Sequence, residues 1–178
     1  QAVTRGDSFI GEDVTNNVRT IKNVPLRLHE ASGFEQFLRG RTEIRGEIVM
    51  LKRDFAALND KQKSFGQPEF ANPRNLAAGT IRQLDPSLVA VRPLHFRGYD
   101  VLRDNDAEVP TNSFAYKALT ALGITRNQQA SVFTTLADVM NFVNEWDDKR
   151  HDLPFNTDGL VIKVNDRALY ESLGLVGK

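Results

Sequence analysis

The stretch Phe70-Ala71-Asn72-Pro73-Arg74-Asn75-Leu76-Ala77-Ala78-Gly79-Thr80-Ile81-Arg82-Gln83-Leu84-Asp85-Pro86 carries more information than any other part of the chain. It reads as one short helix with both ends marked. Asn72 can cap the N-terminus, and Pro73 suits the first helical position, where no amide donor is needed. Leu84-Asp85-Pro86 ends it, because the second proline disfavours helix at Asp85. Arg74 and Arg82 are eight residues apart, which at roughly 100° per residue puts them on neighbouring faces. Gly79 sits between them at a cost of about 1 kcal/mol relative to alanine. With Ala77 and Ala78 it leaves a surface that another backbone or a ligand can approach. Two guanidiniums beside such a surface suit phosphate, since each can donate two parallel hydrogen bonds. The same pattern also describes an alanine-rich packing helix with solvated arginines, and spacing alone does not separate the two.

The rest of the composition narrows the function classes. The chain has 178 residues, 40% of them hydrophobic and 26% charged, within the range of a single domain with a soluble core. The 23 basic residues balance the 23 acidic ones, which weighs against a large autonomous DNA-binding surface. No run approaches the roughly 20 apolar residues that span a bilayer, and no signal-peptide pattern opens the chain. Cysteine is absent, which removes disulfides and argues against a structural zinc site. That permits a cytoplasmic location. Gln1 to Arg5 reads as the middle of a strand, and the end at Gly174 to Lys178 is equally abrupt, so the chain is expected to be an excised piece.

Taken in order, Thr4 to Thr15 is a glycine-containing turn leading into a helix, in which Val14, Val18 and Ile21 recur at helical spacing. Asn23 to Leu26 closes it. On residue type alone, Arg5 is a surface arginine in a loop. Thr42 to Leu51 alternates as a strand, with Ile44, Gly46, Ile48 and Met50 on one face and Glu43, Arg45, Glu47, Val49 and Leu51 on the other. Glu47 thereby sits among apolar residues, and a half-buried carboxylate needs a partner; Arg45 on the same face can supply it. Phe55 to Phe65 reads as a packing helix. Pro93 to Val101 is a second strand, with Arg97, Tyr99 and Val101 opposite Phe96 and Gly98, and Tyr99 there reads as core. Arg103 to Asp106 marks an exposed turn.

A helix follows from near Thr111 or Ser113 and ends at Gly123. Val132-Phe133 is a short strand. Leu136, Val139, Met140, Val143 and Trp146 form an amphipathic stripe that reads as core. Lys149, Arg150 and His151 then suit the negative end of that helix. His29 and His151 read as surface residues, and His95 is undecided. Asp158 to Val164 is a further strand, with Val161 and Lys163 on one side. A lysine in so apolar a strand must snorkel, pair or bind an anion.

The run Ala71-Asn72-Pro73-Arg74-Asn75, with Ala77-Ala78-Gly79 and Arg82-Gln83-Leu84-Asp85-Pro86, resembles the signature of bacterial NAD-dependent DNA ligases, in their adenylation (nucleotidyltransferase) domain. The resemblance extends from Thr4 to Gly174. It implies an α+β fold of antiparallel sheets with flanking helices, as in the ligase and mRNA capping-enzyme nucleotidyltransferases. Residues 1–178 would be a single, partial adenylation domain. The lysine-x-aspartate-glycine nucleophile motif, absent here, would lie upstream, and the last lysine motif downstream.

The resemblance also implies roles. Arg74, Arg82, Arg150 and Asp158 would be catalytic. Arg5, Glu47, Tyr99, Val161 and Lys163 would hold the nucleotide, Glu47 at a ribose hydroxyl and Tyr99 and Val161 on the two faces of adenine. No protein metal ligand is assigned. Two departures stand out: Ser8 where the family usually has glycine, and Arg97-Gly98 in place of an aromatic-alanine pair. The implied reaction has a lysine amine attack the α-phosphate of NAD. AMP then passes to the 5′-phosphate of a nick, and the 3′-hydroxyl displaces it, with Mg2+ assisting. The expected partner is nicked double-stranded DNA, with no membrane, for a monomer in the bacterial cytoplasm. The competing reading is a non-catalytic nucleic-acid-binding module that reuses the fold. An ATP- or GTP-using relative fits Asn72-Pro73-Arg74 and Lys163 less well.

Overall fold

Helices α1 (Thr15–Val18), α2 (Lys52–Ser64), α3 (Pro73–Ile81) and α4 (Pro86–Ala90) contribute to one apolar cluster. Val14 and Ile21 flank α1 there and meet Ala77 and Ile81 of α3, Val89 of α4, Met50 and Leu94; Phe55 and Leu58 of α2 pack against it. A one-turn helix such as α1 has no stability of its own. Burial of side chains like these, at about 1.5–3 kcal/mol each, holds it. The structure, a computed structural model, describes residues 1–7 and 9–174. Ser8, and with it the question of glycine at that position, lies outside the described residues, as does the terminus beyond Gly174.

Two compact units divide the chain. The first comprises Gln1–Leu26, Ile48–Phe96 and Leu153–Asn156, and the second Arg27–Glu47, Arg97–Asp152 and Thr157–Lys178. Strands β1 (Thr42–Met50) and β2 (Leu94–Arg103) pair as a two-stranded sheet. In chain order β1 passes from the second unit to the first and β2 passes back, so the strands run antiparallel. Helices plus this sheet make the described residues α+β. The expectation of several sheets is corrected to one among them.

In the first unit, α3 begins as the sequence predicts: the Asn72 side chain accepts hydrogen bonds from the amides of Arg74 and Asn75, with Pro73 at the first position. It ends at Ile81, three residues before Leu84. Asp85-Pro86 is not a terminator but a second start, since Asp85 caps α4 by accepting from the Ser87 amide. Helix α2 begins at Lys52 rather than Phe55, and its Asn59 side chain bonds the Phe70 backbone in both directions, at 2.8 and 3.1 Å. The expected helix from Val14 to Ile21 shortens to one turn followed by successive turns. His95, undecided from sequence, lies with Nε2 3.4 Å from Asp54 Oδ2.

In the second unit, α5 (Asn112–Ala121) is capped by Thr111, whose hydroxyl accepts from the Phe114 amide at 3.0 Å. Ala115, Ala118, Leu119 and Leu122 are buried, along with Phe37, Val101, Val109 and Ile124. Phe34 stacks on Phe114 with ring centroids 5.5 Å apart. Arg103 is not in an exposed turn: its Nε donates to Glu108 at 2.6 Å, its Nη1 to Thr42 Oγ1 at 2.7 Å, and its guanidinium lies over the Phe37 ring.

Helix α6 (Leu136–Lys149) buries Trp146, but Leu136 and Met140 are exposed, so the stripe read as core is covered only toward its C-terminal end. Val132-Phe133 is not a strand; Phe133 instead packs on Phe142, which stacks on Trp146. Residues 158–164 carry no strand pairing. Their apolar alternation does not by itself supply a ladder partner. Helix α7 (Arg167–Leu173) closes the described chain, capped by Asp166.

Candidate functional site

Three of the expected site residues, Arg5, Arg74 and Arg82, belong to the first unit. Arg5 is exposed beside a tight loop. Gly6 takes a φ of 55° there, and a Cβ on it would fall 1.7 Å from the Ile10 carbonyl oxygen, so only glycine fits. Asp7 Oδ1 accepts from the amides of Phe9 and Ile10 at 2.9 and 2.7 Å. Those amides, Ile10 first, hold its carboxyl below the usual aspartate value. The expected glycine turn is therefore present.

Arg74 and Arg82 sit at opposite ends of α3, about 12 Å apart along the axis at 1.5 Å per residue. Arg74 is exposed in the first turn. Arg82 is the residue just past the helix, at φ −94° and ψ 5°. Its side chain reaches solvent and stands 3.2 Å from Glu12. Asn17, which the sequence reading passed over, is buried on α1 and donates from Nδ2 to the carbonyls of Ile81 and Gln83, each at 2.7 Å.

The remaining six, Glu47, Tyr99, Arg150, Asp158, Val161 and Lys163, belong to the second unit. Tyr99 is 40% exposed and is not core. Lys163 Nζ stands 5.7 Å from its ring centroid, so these two expected nucleotide groups are brought together. Val161 is 80% exposed, leaving its apolar face open to a ligand. Glu47 is exposed rather than set among apolar side chains. The partner expected for it, Arg45, is taken by Glu43 at 2.8 Å, and Arg41 joins the same carboxylate at 2.7 Å. The Arg45 guanidinium holds the Glu43 carboxyl below the ordinary glutamate value. Arg150 follows α6 and pairs with Asp147 at 3.0 Å. Asp158 and Gly159 are exposed, with open space around Gly159.

The Arg97-Gly98 departure has a local explanation at Gly98. It is buried, and a Cβ there would lie 2.7 Å from Ile124 Cγ2 and 3.0 Å from Leu119 Cδ2. Ile124 and Leu119 fill the space an alanine methyl would take, so glycine keeps β2 in place next to Tyr99. Burial pushes the Arg97 guanidinium down from its usual value.

The stretch following Lys163 is firmly tied. Asn112 donates from its amide to the Asn165 carbonyl at 2.9 Å and from Nδ2 to the Val164 carbonyl at 2.8 Å. The Ser113 amide donates to Asn165 Oδ1 at 2.9 Å. Arg167 donates from Nη1 to the Val101 carbonyl at 3.0 Å and pairs through Nη2 with Asp100, the residue after Tyr99. Sequence reasoning missed this network; its one local signal was Asp166 at the start of a helix.

The chain matches the family model described as the NAD-dependent DNA ligase adenylation domain over residues 1–178. Among curated relatives, it is 42% identical to a DNA ligase of Koribacter versatilis over 99% of this chain and 26% of that protein. It is 45% identical to a DNA ligase of Thermomicrobium roseum over 100% of this chain and 26% of that protein. A DNA ligase of Neisseria meningitidis is 44% identical over 100% of this chain and 21% of that protein. The chain thus spans about a quarter of the length of these relatives.

Proposed function

The chain belongs to the NAD-dependent DNA ligase adenylation-domain family, and from that premise we propose that it forms part of the catalytic core of a DNA ligase. The ligase seals 5′-phosphate/3′-hydroxyl nicks in duplex DNA, with NAD as AMP donor, through enzyme-adenylate and DNA-adenylate stages. The chain carries part of one nucleotidyltransferase-fold adenylation domain, acting as a monomer in the bacterial cytoplasm. Among the described residues no helix is long and apolar enough to cross a membrane.

The observation that carries the reading is the cation at 5.7 Å over the exposed Tyr99 ring. An open aromatic face suits a purine, and an ammonium at its edge suits the phosphate attached to it. Val161, exposed on the same stretch as Lys163, offers apolar contact to the base. Glu47, freed from Arg45, has both oxygens to accept from ribose. Arg5, Arg74, Arg82 and Arg150 supply guanidiniums for charge that develops on phosphoryl oxygens, and Asp158 takes the catalytic carboxylate's place.

Among the described residues no group of three or more His, Asp or Glu side chains is placed to hold a metal ion. Mg2+ commonly rests on phosphates and waters. When bound it neutralises phosphoryl charge.

The test is NAD-dependent adenylation, measured in a ligase that carries this chain, with and without Tyr99→Ala. The expected result is a raised KM for NAD on loss of the ring. Unchanged adenylation, together with nucleotide-independent and strongly salt-dependent DNA binding by the chain, would favour a binding module instead.

A further inference from the structure

We propose that Asn17 is a positioning residue for Arg82. The proposal rests on the catalytic reading of Arg82 and adds a residue to it. Asn17 is 7% exposed, and a buried amide keeps its place only by hydrogen bonding. Both bonds from its Nδ2, at 2.7 Å each, go to Ile81 and Gln83. These are the carbonyls of the residues before and after Arg82, and the Ile81 carbonyl belongs to the peptide joined to the Arg82 nitrogen.

The last carbonyls of a helix have no donor within it. At α3 one side chain 64 residues away in sequence supplies two donors at once. The clamp is itself held, because Thr20 donates to the Asn17 carbonyl from its amide at 3.0 Å and its hydroxyl at 2.7 Å. Val14 and Ile21, flanking α1, pack in the cluster that holds Ala77 and Ile81.

The Arg82 side chain has little else to aim it. It is 57% exposed, and its pair with Glu12, itself 64% exposed, is 3.2 Å long. Such pairs are worth little and are screened by salt. The direction of Arg82 is therefore set by its Cα–Cβ bond, and Asn17 fixes that bond by holding the peptide before Arg82 and the peptide after Gln83, one on each side of the Arg82–Gln83 step. Asparagine suits the task because one NH2 spans two carbonyls. Aspartate has the same shape but would oppose those carbonyls with acceptors alone.

A cap that served stability only would not act through Arg82, and a double-mutant cycle separates the two cases. In a complete ligase carrying this chain, nick-sealing kcat and thermal denaturation would be measured for Asn17→Asp, Arg82→Ala and the pair. Asn59→Asp is the control, since it disrupts another buried asparagine of the same unit, whose side chain bonds the Phe70 backbone. Misplacement of a reacting group costs roughly tenfold to a hundredfold, so Asn17→Asp should lower kcat by about that factor. Asn59→Asp should lower the melting temperature with a much smaller effect on kcat. With Arg82 already alanine, Asn17→Asp should change kcat by no more than about twofold.

Multiplying effects in the pair would overturn the proposal while leaving the catalytic reading of Arg82 intact. A wild-type rate for Arg82→Ala alone would instead remove that reading and the proposal with it. Should Asn17→Asp not fold, Asn17→Ser, which keeps one donor, takes its place in the same cycle with the same expectations.

Discussion

Lys163 Nζ lies over the Tyr99 ring at 5.7 Å from its centroid. The two side chains come from separate stretches of the second unit, and both reach solvent. A cation on an exposed aromatic ring gains only about 0.5–1 kcal/mol, so a bound nucleotide can replace the contact at small cost. In a complete ligase carrying this chain, Lys163→Ala and Glu47→Ala should each slow adenylation while leaving the melting temperature near wild type. A charge-assisted hydrogen bond is worth about 1.5–3 kcal/mol, or roughly tenfold to a hundredfold in rate if expressed at the transition state. Wild-type single-turnover adenylation in both variants would remove these residues from the nucleotide site.

Gly98→Ala should destabilise the protein although it adds a single methyl group. The added methyl would meet Ile124 Cγ2 at 2.7 Å and Leu119 Cδ2 at 3.0 Å. Both side chains are buried, and overpacking of this kind costs about 1–3 kcal/mol. Urea denaturation at constant m-value measures it. An unchanged or raised midpoint would show that Ile124 and Leu119 yield freely.

The sequence signals that held were local ones. Asn72 and Pro73 announce the start of α3 from two adjacent residues, and Thr111 does the same for α5. The end of α3 is less legible, because the carbonyls of Ile81 and Gln83 are met by Asn17, far upstream, while Pro86 opens α4. Glu47 and Val49 share a strand face by parity, yet parity says nothing about what covers that face, and at Glu47 nothing among the described residues buries it. Residues 158–164 alternate like a strand, but a ladder partner is a non-local fact. The nearness of Lys163 to Tyr99 came from the family resemblance rather than from spacing. The tie from Arg167 to Asp100 had no local signal at all.

Acid should selectively weaken the contribution of Glu43. The Arg45 guanidinium, 2.8 Å away, holds the folded carboxyl below the ordinary glutamate value. The unfolded chain then binds more protons in the intervening range, and stability rises with pH across it. The contribution is complete above the unfolded value and disappears as pH falls through the lowered folded one. Wild type should therefore melt above Glu43→Gln at neutral pH, with the gap closing as pH falls below the ordinary glutamate range. The side chain is one-third exposed, so added salt should narrow the gap as well. A gap independent of pH would mean that Glu43 acts by packing or neutral hydrogen bonding.

This 178-residue chain, incubated alone with NAD and magnesium, should form no covalent AMP adduct. The sequence holds eight lysines, Lys22, Lys52, Lys61, Lys63, Lys117, Lys149, Lys163 and Lys178, and none begins a lysine-x-aspartate-glycine motif. Attack on phosphorus needs a nitrogen lone pair, which enzymes obtain by desolvating the amine or placing another cation beside it. The seven lysines among the described residues are all exposed, and water favours the ammonium form. Lys149 is further engaged with Glu145 at 2.5 Å, across one helical turn. Lys163 stands beside the exposed Tyr99 ring, and its proposed task beside phosphate requires that it keep its charge. The charge that would stabilise a phosphoryl group is what removes the lone pair needed to attack it, so one lysine cannot do both in the same step. Intact-protein mass spectrometry decides the matter. A gain of one AMP mapped to Lys163 would make it the nucleophile and overturn its assigned role, while an unshifted mass is the expected result.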